Sequence, residues 1–181
     1  MRKIASLMLM TVAAVMAAPD ADAVTSLPNV GPLPSKWYSG YLNVNSEKAL
    51  FYVFIQSEQS PTSPETDPVV VWFNGGPGCS SLLALFQEHG PFVFDDGETV
   101  IKPNPYPWTS RANMLYIENP AGVGYTVATT DDAMSHNDLT QSEDALEAIK
   151  SFFVKFPEFV KNDFYVSGES YGGIYVPYLS W

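Results

Sequence analysis

Apolar residues along the chain fall into short blocks parted by polar, glycine- and proline-bearing stretches. The spacing inside each block predicts its element. Residues 28–35 are proline-rich and read as an extended lead-in. Residues 37–44 and 49–55 are apolar and aromatic on either side of a polar group, Asn45-Ser46-Glu47-Lys48, which predicts a strand hairpin. Residues 56–67 are polar with two prolines and read as a surface loop. Val69-Val70-Val71-Trp72-Phe73 is a continuous apolar run, as expected of a strand covered on both faces in a parallel sheet. Residues 82–88 follow with Leu82, Leu83 and Phe86 at helical spacing, and Gly90-Pro91 stops that helix. Residues 92–108 read as a loop, and Met114-Leu115-Tyr116-Ile117 as a second buried strand. The clearest helix covers 140–156. Thr140 and Glu143 form its capping box. Ala145, Leu146, Ile149, Phe152, Phe153 and Phe156 line one apolar stripe, read as core, and Pro157 ends it. A short strand at 163–166 comes next. Strand, helix, strand, helix, strand in this order argues for an α/β architecture, with no internal repeat and no interdomain linker.

Composition narrows the picture. The 181 residues are 46% hydrophobic and 16% charged, which suits one globular domain. A formal net charge of -11 leaves no basic patch to meet phosphates, so nucleic acid is excluded as a partner. Residues 1–23 read as a secretory leader: Arg2 and Lys3 open it, residues 4–18 are uncharged, and Ala21-Asp22-Ala23 supplies an A-x-A cut. Val15-Met16-Ala17 is an earlier alternative cut. The expected mature chain, residues 24–181, carries no further stretch apolar enough to cross a bilayer, so no membrane partner is expected after cleavage. The destination is the secretory pathway, either extracellular or a lysosome or vacuole. The single cysteine, Cys79, is either buried and unpaired or paired outside this chain. No Cys/His cluster has metal-ligand spacing, and neither metal nor cofactor is expected.

Two glycine-bearing turns carry candidate chemistry. Gly168-Glu169-Ser170-Tyr171-Gly172 is a G-x-S-x-G sequence directly after a strand. A serine at such a bend is held in a strained conformation with its hydroxyl above the sheet, and the flanking glycines let strand and next element cross. The amide of Tyr171 would then face a developing oxyanion. A second donor for that oxyanion is expected from a glycine loop after a neighbouring strand. Asn74-Gly75-Gly76 stands there, with Gly76 as the donor. The loop lacks the phosphate-binding patterns G-x-x-x-x-G-K-[ST] and G-x-G-x-x-G.

Three blocks together resemble the serine carboxypeptidases, an α/β-hydrolase family. They are Val71-Trp72-Phe73-Asn74-Gly75-Gly76-Pro77-Gly78-Cys79-Ser80-Ser81, Glu118-Asn119-Pro120-Ala121-Gly122-Val123-Gly124-Tyr125 and Gly168-Glu169-Ser170-Tyr171-Gly172-Gly173. Residues 92–115, with Asn104-Pro105-Tyr106-Pro107-Trp108, and residues 39–56 are also similar to the family. The resemblance implies a mostly parallel central sheet flanked by helices. It implies Ser170 as nucleophile, Gly76 and Tyr171 as oxyanion donors, and peptide or protein C-termini as substrates. Asn74, Gly75, Glu88 and Glu169 would grip the substrate's terminal carboxylate, with Trp72 in support; apart from the resemblance, Glu88 reads as a solvated acid at a helix end. Glutamates facing a carboxylate repel it unless protonated, which implies work at acid pH. An acyltransferase using the same serine, and a non-catalytic secreted fragment, are the other readings.

The resemblance stops short of the base. In this fold the triad order is Ser, Asp, His. None of the eleven residues after Ser170 is Asp or His, and His89 and His136 both precede it and read as surface residues. The chain therefore reads as the amino-terminal part of such a domain, incomplete on the C-terminal side. It is expected to be inactive by itself, with an unpaired strand edge and a tendency to aggregate. The family's disulfide partner for Cys79 would also lie outside it. Residues 174–181 are expected to pack on the sheet, with Pro177 preventing a regular helix. The oligomeric state is left open.

Overall fold

The computed structural model describes residues 19–58, 63–95 and 97–181. Its elements are β1 (Ala23–Val24), β2 (Trp37–Asn43), β3 (Lys48–Ile55), β4 (Val69–Phe73), α1 (Leu82–Gln87), β5 (Phe92–Phe94), β6 (Ile101–Pro103), β7 (Asn113–Ile117), β8 (Val127–Ala128), α2 (Asp138–Lys155), β9 (Phe164–Gly168) and α3 (Gly172–Ser180). The main sheet runs β1-β2-β3-β7-β4-β9, with β8 pairing the start of β3. It is mixed. β2 and β3 form the expected hairpin, and β3 pairs β7 antiparallel. β7, β4 and β9 are mutually parallel, so their carboxyl ends share one edge of the sheet.

Alternation along the central strands explains why their sequences are apolar throughout. Phe54, Val71, Phe73, Leu115 and Ile117 enter a core beneath α2 and α3. Val53, Ile55, Trp72, Met114 and Tyr116 enter a second core on the opposite face, with Ala84 and Leu85 of α1. Side chains alternate across a strand, so a sheet covered on both faces has no solvent-facing positions to spend on polar residues. Phe152 of α2 meets Phe54 edge-on and stacks with Phe156, at 4.8 and 4.9 Å between ring centroids. Each such fully buried ring stabilises the fold by about 1.5–3 kcal/mol.

Several local expectations are corrected. Residues 92–108 hold an antiparallel hairpin, β5 with β6, in place of a loop. The capping box of α2 is built by Asn137 and Thr140: the Asn137 side chain accepts from the Leu139 and Thr140 amides, and the helix begins two residues earlier than the Thr140 reading. Leu146 leaves the apolar stripe and is 41% exposed, while Ala148 joins it. In α1 the buried residues are Ala84 and Leu85, and Leu83 is exposed. Pro177 lies inside a helix, α3. The donor it lacks would reach back to Gly173 in the first turn, so one missing bond near the helix start is tolerated. The 56–67 stretch is not purely surface: Ser57 and Asp67 are buried, and the Asn113 side chain donates to the Pro64 and Asp67 carbonyls. Of the expected leader, residues 1–18 lie outside the described residues, whereas Asp20–Asp22 form a 3-10 turn and Ala23 opens β1.

Candidate active site

The three segments singled out by sequence converge because their strands are parallel neighbours. β4 lies between β7 and β9, so the loops at 74–81, 118–126 and 169–171 leave the same edge of the sheet. That edge, at the carboxyl ends of the strands, is where ligands collect in open α/β sheets.

Ser170 sits at the bend between β9 and α3 with φ 54°. This is the left-handed region, strained for a residue with a Cβ, and strain of this kind is concentrated at functional sites. The turn closes through Gly172 N–H donating to the Glu169 carbonyl at 2.6 Å. A Cβ at Gly168 would stand 2.7 Å from the Phe73 carbonyl, so the crossing of strand and helix requires glycine there. Gly75 is the contact between the two loops. A Cβ on it would lie 2.4 Å from the Tyr171 amide nitrogen and 2.9 Å from the Ser170 Cβ. The glycine loop after β4 is thus laid directly against the serine bend. Gly76 follows with φ 107°. Among the described residues, neither the Gly76 nor the Tyr171 backbone N–H donates a hydrogen bond. Both are available for an acceptor from outside.

Beside the bend lies a hydrogen-bonded group built on Asn74. Its carboxamide is buried and oriented from below: Trp72 Nε1 donates to Asn74 Oδ1 at 2.9 Å. The two Nδ2 protons then go to Glu88 Oε1 at 3.2 Å and Glu169 Oε1 at 3.1 Å. One amide gathers two carboxyl groups from separate elements, the end of α1 and the residue before Ser170. Burial pushes the Glu88 carboxyl above its ordinary value; the Asn74 bond opposes this and the Glu169 charge adds to it. The structure therefore brings together Trp72, Asn74, Glu88 and Glu169 as one network, with Gly75, Gly76, Ser170 and Tyr171 alongside.

The histidines are elsewhere, and neither is the surface residue expected. His89 is buried in a cage of Trp72, Trp108 and Tyr116, with ring centroids at 4.5, 4.3 and 5.7 Å. Its Nδ1 shares a hydrogen bond with the Tyr116 hydroxyl at 3.1 Å. His136 Nε2 faces the Ala121 carbonyl at 2.9 Å, and its side chain is only 11% exposed. Among the described residues nothing hydrogen-bonds the Ser170 hydroxyl. Cys79 is unpaired and exposed, which corrects the buried alternative. The described residues hold no group of three or more His, Cys, Asp or Glu side chains arranged for a metal ion.

Three supports of the loop were not anticipated. Ser81 Oγ accepts from the Asn74 amide at 3.2 Å, and Tyr175 Oη, on α3, accepts from the Gly78 amide at 3.2 Å. Glu118, buried at the end of β7, accepts from the Ser80 hydroxyl and from the Tyr125 amide, the latter at 2.6 Å. An acid placed straight after five buried strand residues is a signal for such a role, because a buried carboxylate must be met by donors.

The profile of the serine carboxypeptidase family matches residues 28–181. The chain is 46% identical over 166 residues to the lysosomal protective protein of Mus musculus, covering 91% of this chain and 34% of that protein. It is 43% identical over 172 residues to serine carboxypeptidase 1 of Hordeum vulgare, again covering 91% of this chain and 34% of that protein. Among solved structures it is similar to Kex1(delta)p, a prohormone-processing carboxypeptidase from Saccharomyces cerevisiae, with a TM-score of 0.67 and 26% identity over 81% of this chain and 33% of that one. The chain spans about a third of the length of the curated relatives it matches.

Proposed function

The chain belongs to the serine carboxypeptidase family and has its α/β-hydrolase fold, and from that premise we propose that it carries the nucleophile and the carboxylate-recognition half of an acid-working serine carboxypeptidase. The observation that supports this most is the Asn74 carboxamide shared between Glu88 and Glu169, one residue from the serine bend. In this reading the Ser170 hydroxyl attacks the last peptide carbonyl of a substrate. The Gly76 and Tyr171 amides receive the oxyanion, and the acyl group passes to Ser170 as the C-terminal amino acid leaves. Asn74, Gly75, Glu88 and Glu169 hold the substrate's terminal carboxylate, and Trp72 fixes the Asn74 amide in the orientation that does so. A protonated glutamate donates a hydrogen bond to that carboxylate; an ionised one repels it. The raised Glu88 carboxyl extends the protonated range upward from ordinary acid pH.

A serine hydroxyl needs a base to become a nucleophile, and neither His89 nor His136 bonds Ser170. This chain is therefore proposed to recognise C-terminal carboxylates without turning them over. The amino-terminal stretch opened by Arg2 and Lys3 is proposed as a leader into the secretory pathway, with an acidic compartment such as a lysosome or vacuole as the setting that suits the glutamate pair.

Titrating the chain with an N-blocked dipeptide bearing a free C-terminus, and with the same dipeptide amidated, tests the recognition. The acid form should bind and the amide should not. Binding should weaken as pH rises from 4.5 to 7, and Glu88→Gln, which stays neutral, should flatten that dependence. Equal binding of acid and amide overturns the carboxylate reading. Preference for a sugar ester over the dipeptide acid turns it toward acyl transfer. A serine-directed phosphonate should leave Ser170 unlabelled; rapid labelling lost in Ser170→Ala would show a base where none is assigned.

A further inference from the structure

Asp22 is tied into the fold, although the A-x-A sequence places it inside the leader. Its Oδ2 accepts from the Tyr52 hydroxyl at 2.7 Å and pairs with Lys155 Nζ at 2.7 Å, and its side chain is 16% exposed. Tyr52 is fully buried in the inner strand of the hairpin, and Asp22 is the hydrogen-bond partner of its hydroxyl. Lys155 ends α2 and stands 5.6 Å from the centre of the Tyr52 ring. Gly40 completes the seat: a Cβ there would lie 2.8 Å from the Asp22 carboxylate. The next two residues, Ala23 and Val24, pair antiparallel with Tyr38 and Trp37. One carboxylate thus joins β2, β3 and the end of α2.

A cut after Ala23 would remove this carboxylate. It would leave a buried hydroxyl without an acceptor and a cation without its counter-charge, and it would take away the first residue of β1. Orphaned buried polar groups are among the costliest defects a fold can carry. The other small-residue cut, after Val15-Met16-Ala17, keeps every one of these contacts.

We propose that the leader is removed between Ala17 and Ala18, and that Asp22 belongs to the mature protein as the anchor of its amino terminus. Water adds across the Ala17–Ala18 amide under a signal peptidase; Ala17 keeps the new carboxylate and Ala18 the new α-amine. The mature chain then opens Ala18-Pro19-Asp20, five residues ahead of β1. This inference rests on the leader reading of the sequence and on the Asp22 contacts, and is independent of the chemistry proposed for Ser170.

Translating the full 181-residue chain with endoplasmic-reticulum microsomes and sequencing the processed amino terminus tests it, and reads the cut whether or not the chain later folds. The expected first residue is Ala18. Ala17→Arg should abolish processing, and Ala23→Arg should leave it unchanged. A processed chain beginning at Val24, processing blocked by Ala23→Arg but not by Ala17→Arg, or a chain that is imported and stays uncut would each overturn the assignment.

Discussion

Single residues set the pH behaviour of this protein in opposite directions. His89 is the clearer case. Burial lowers its pKa from 6.5 to about 4, so the imidazole is neutral inside its aromatic cage. The unfolded chain binds a proton near pH 6.5 that the folded chain refuses until about pH 4. The stability His89 confers is therefore complete above 6.5, declines as pH falls through that window, and is gone below 4. The span corresponds to roughly 3 kcal/mol. Glu88 acts with the other sign: its raised carboxyl favours the fold while protonated and loses that contribution as pH rises, and its exposure to solvent keeps the effect small. Urea titrations between pH 4 and 7 should show stability rising with pH. His89→Phe should flatten the slope while lowering stability by about 1 kcal/mol at pH 7, because the Tyr116 hydroxyl loses its partner. An unchanged slope in that variant would mean that His89 does not govern it. None of this was legible in the sequence. The cage is assembled from positions 72, 108 and 116, and a histidine beside Gly-Pro at a helix end looks solvated until those three rings are placed around it.

Elements were legible where one rule decided them. The runs 69–73 and 114–117 are apolar without a break because both faces of the sheet are covered, and β4 coincides with the expected strand. The β5–β6 hairpin was hidden because its strands are three residues long and its connection carries the Asp and Gly of an ordinary loop. The start of α2 was misplaced by a competing signal: Thr140 and Glu143 satisfy the capping pattern in sequence, but Asn137 supplies the oxygen and Thr140 closes the box from the third helical position. Leu146 fits the helical stripe and still faces solvent, since the stripe is set by the β2 and α3 contacts and not by apolar residues alone. Denaturation measurements should rank these positions. Asn137→Ala should cost about 1 kcal/mol, Phe152→Ala about 3–5 kcal/mol, and Leu146→Lys less than about 0.5 kcal/mol. A cost for Leu146→Lys as large as that for Phe152→Ala would place the core of α2 on the wrong face.

The molecule as a whole is shaped by the end of its sheet. β9 carries the serine bend and is also the last strand of the order, so among the described residues one of its edges has no partner. Tyr165 on this strand is 54% exposed, and Val160, in the turn that leads into it, is 60% exposed. An open strand edge with apolar neighbours is a template for pairing with another chain. Opposing this is a net charge of -11, which holds copies apart at neutral pH. The balance must shift with acid, because protonating carboxylates removes the repulsion while the edge and its apolar rim are unaffected. The acid conditions proposed to favour carboxylate binding are thus the ones in which the isolated chain should associate most. Sedimentation at fixed concentration should show larger species at pH 5 than at pH 7.5, and raised salt at pH 7.5 should move the distribution the same way by screening. Tyr165→Lys places a cation on the open strand and should restore the smaller species at pH 5. If association is equal at both pH values, or Tyr165→Lys leaves it untouched, the contact lies on another face and the β9 edge is closed by something other than a second copy.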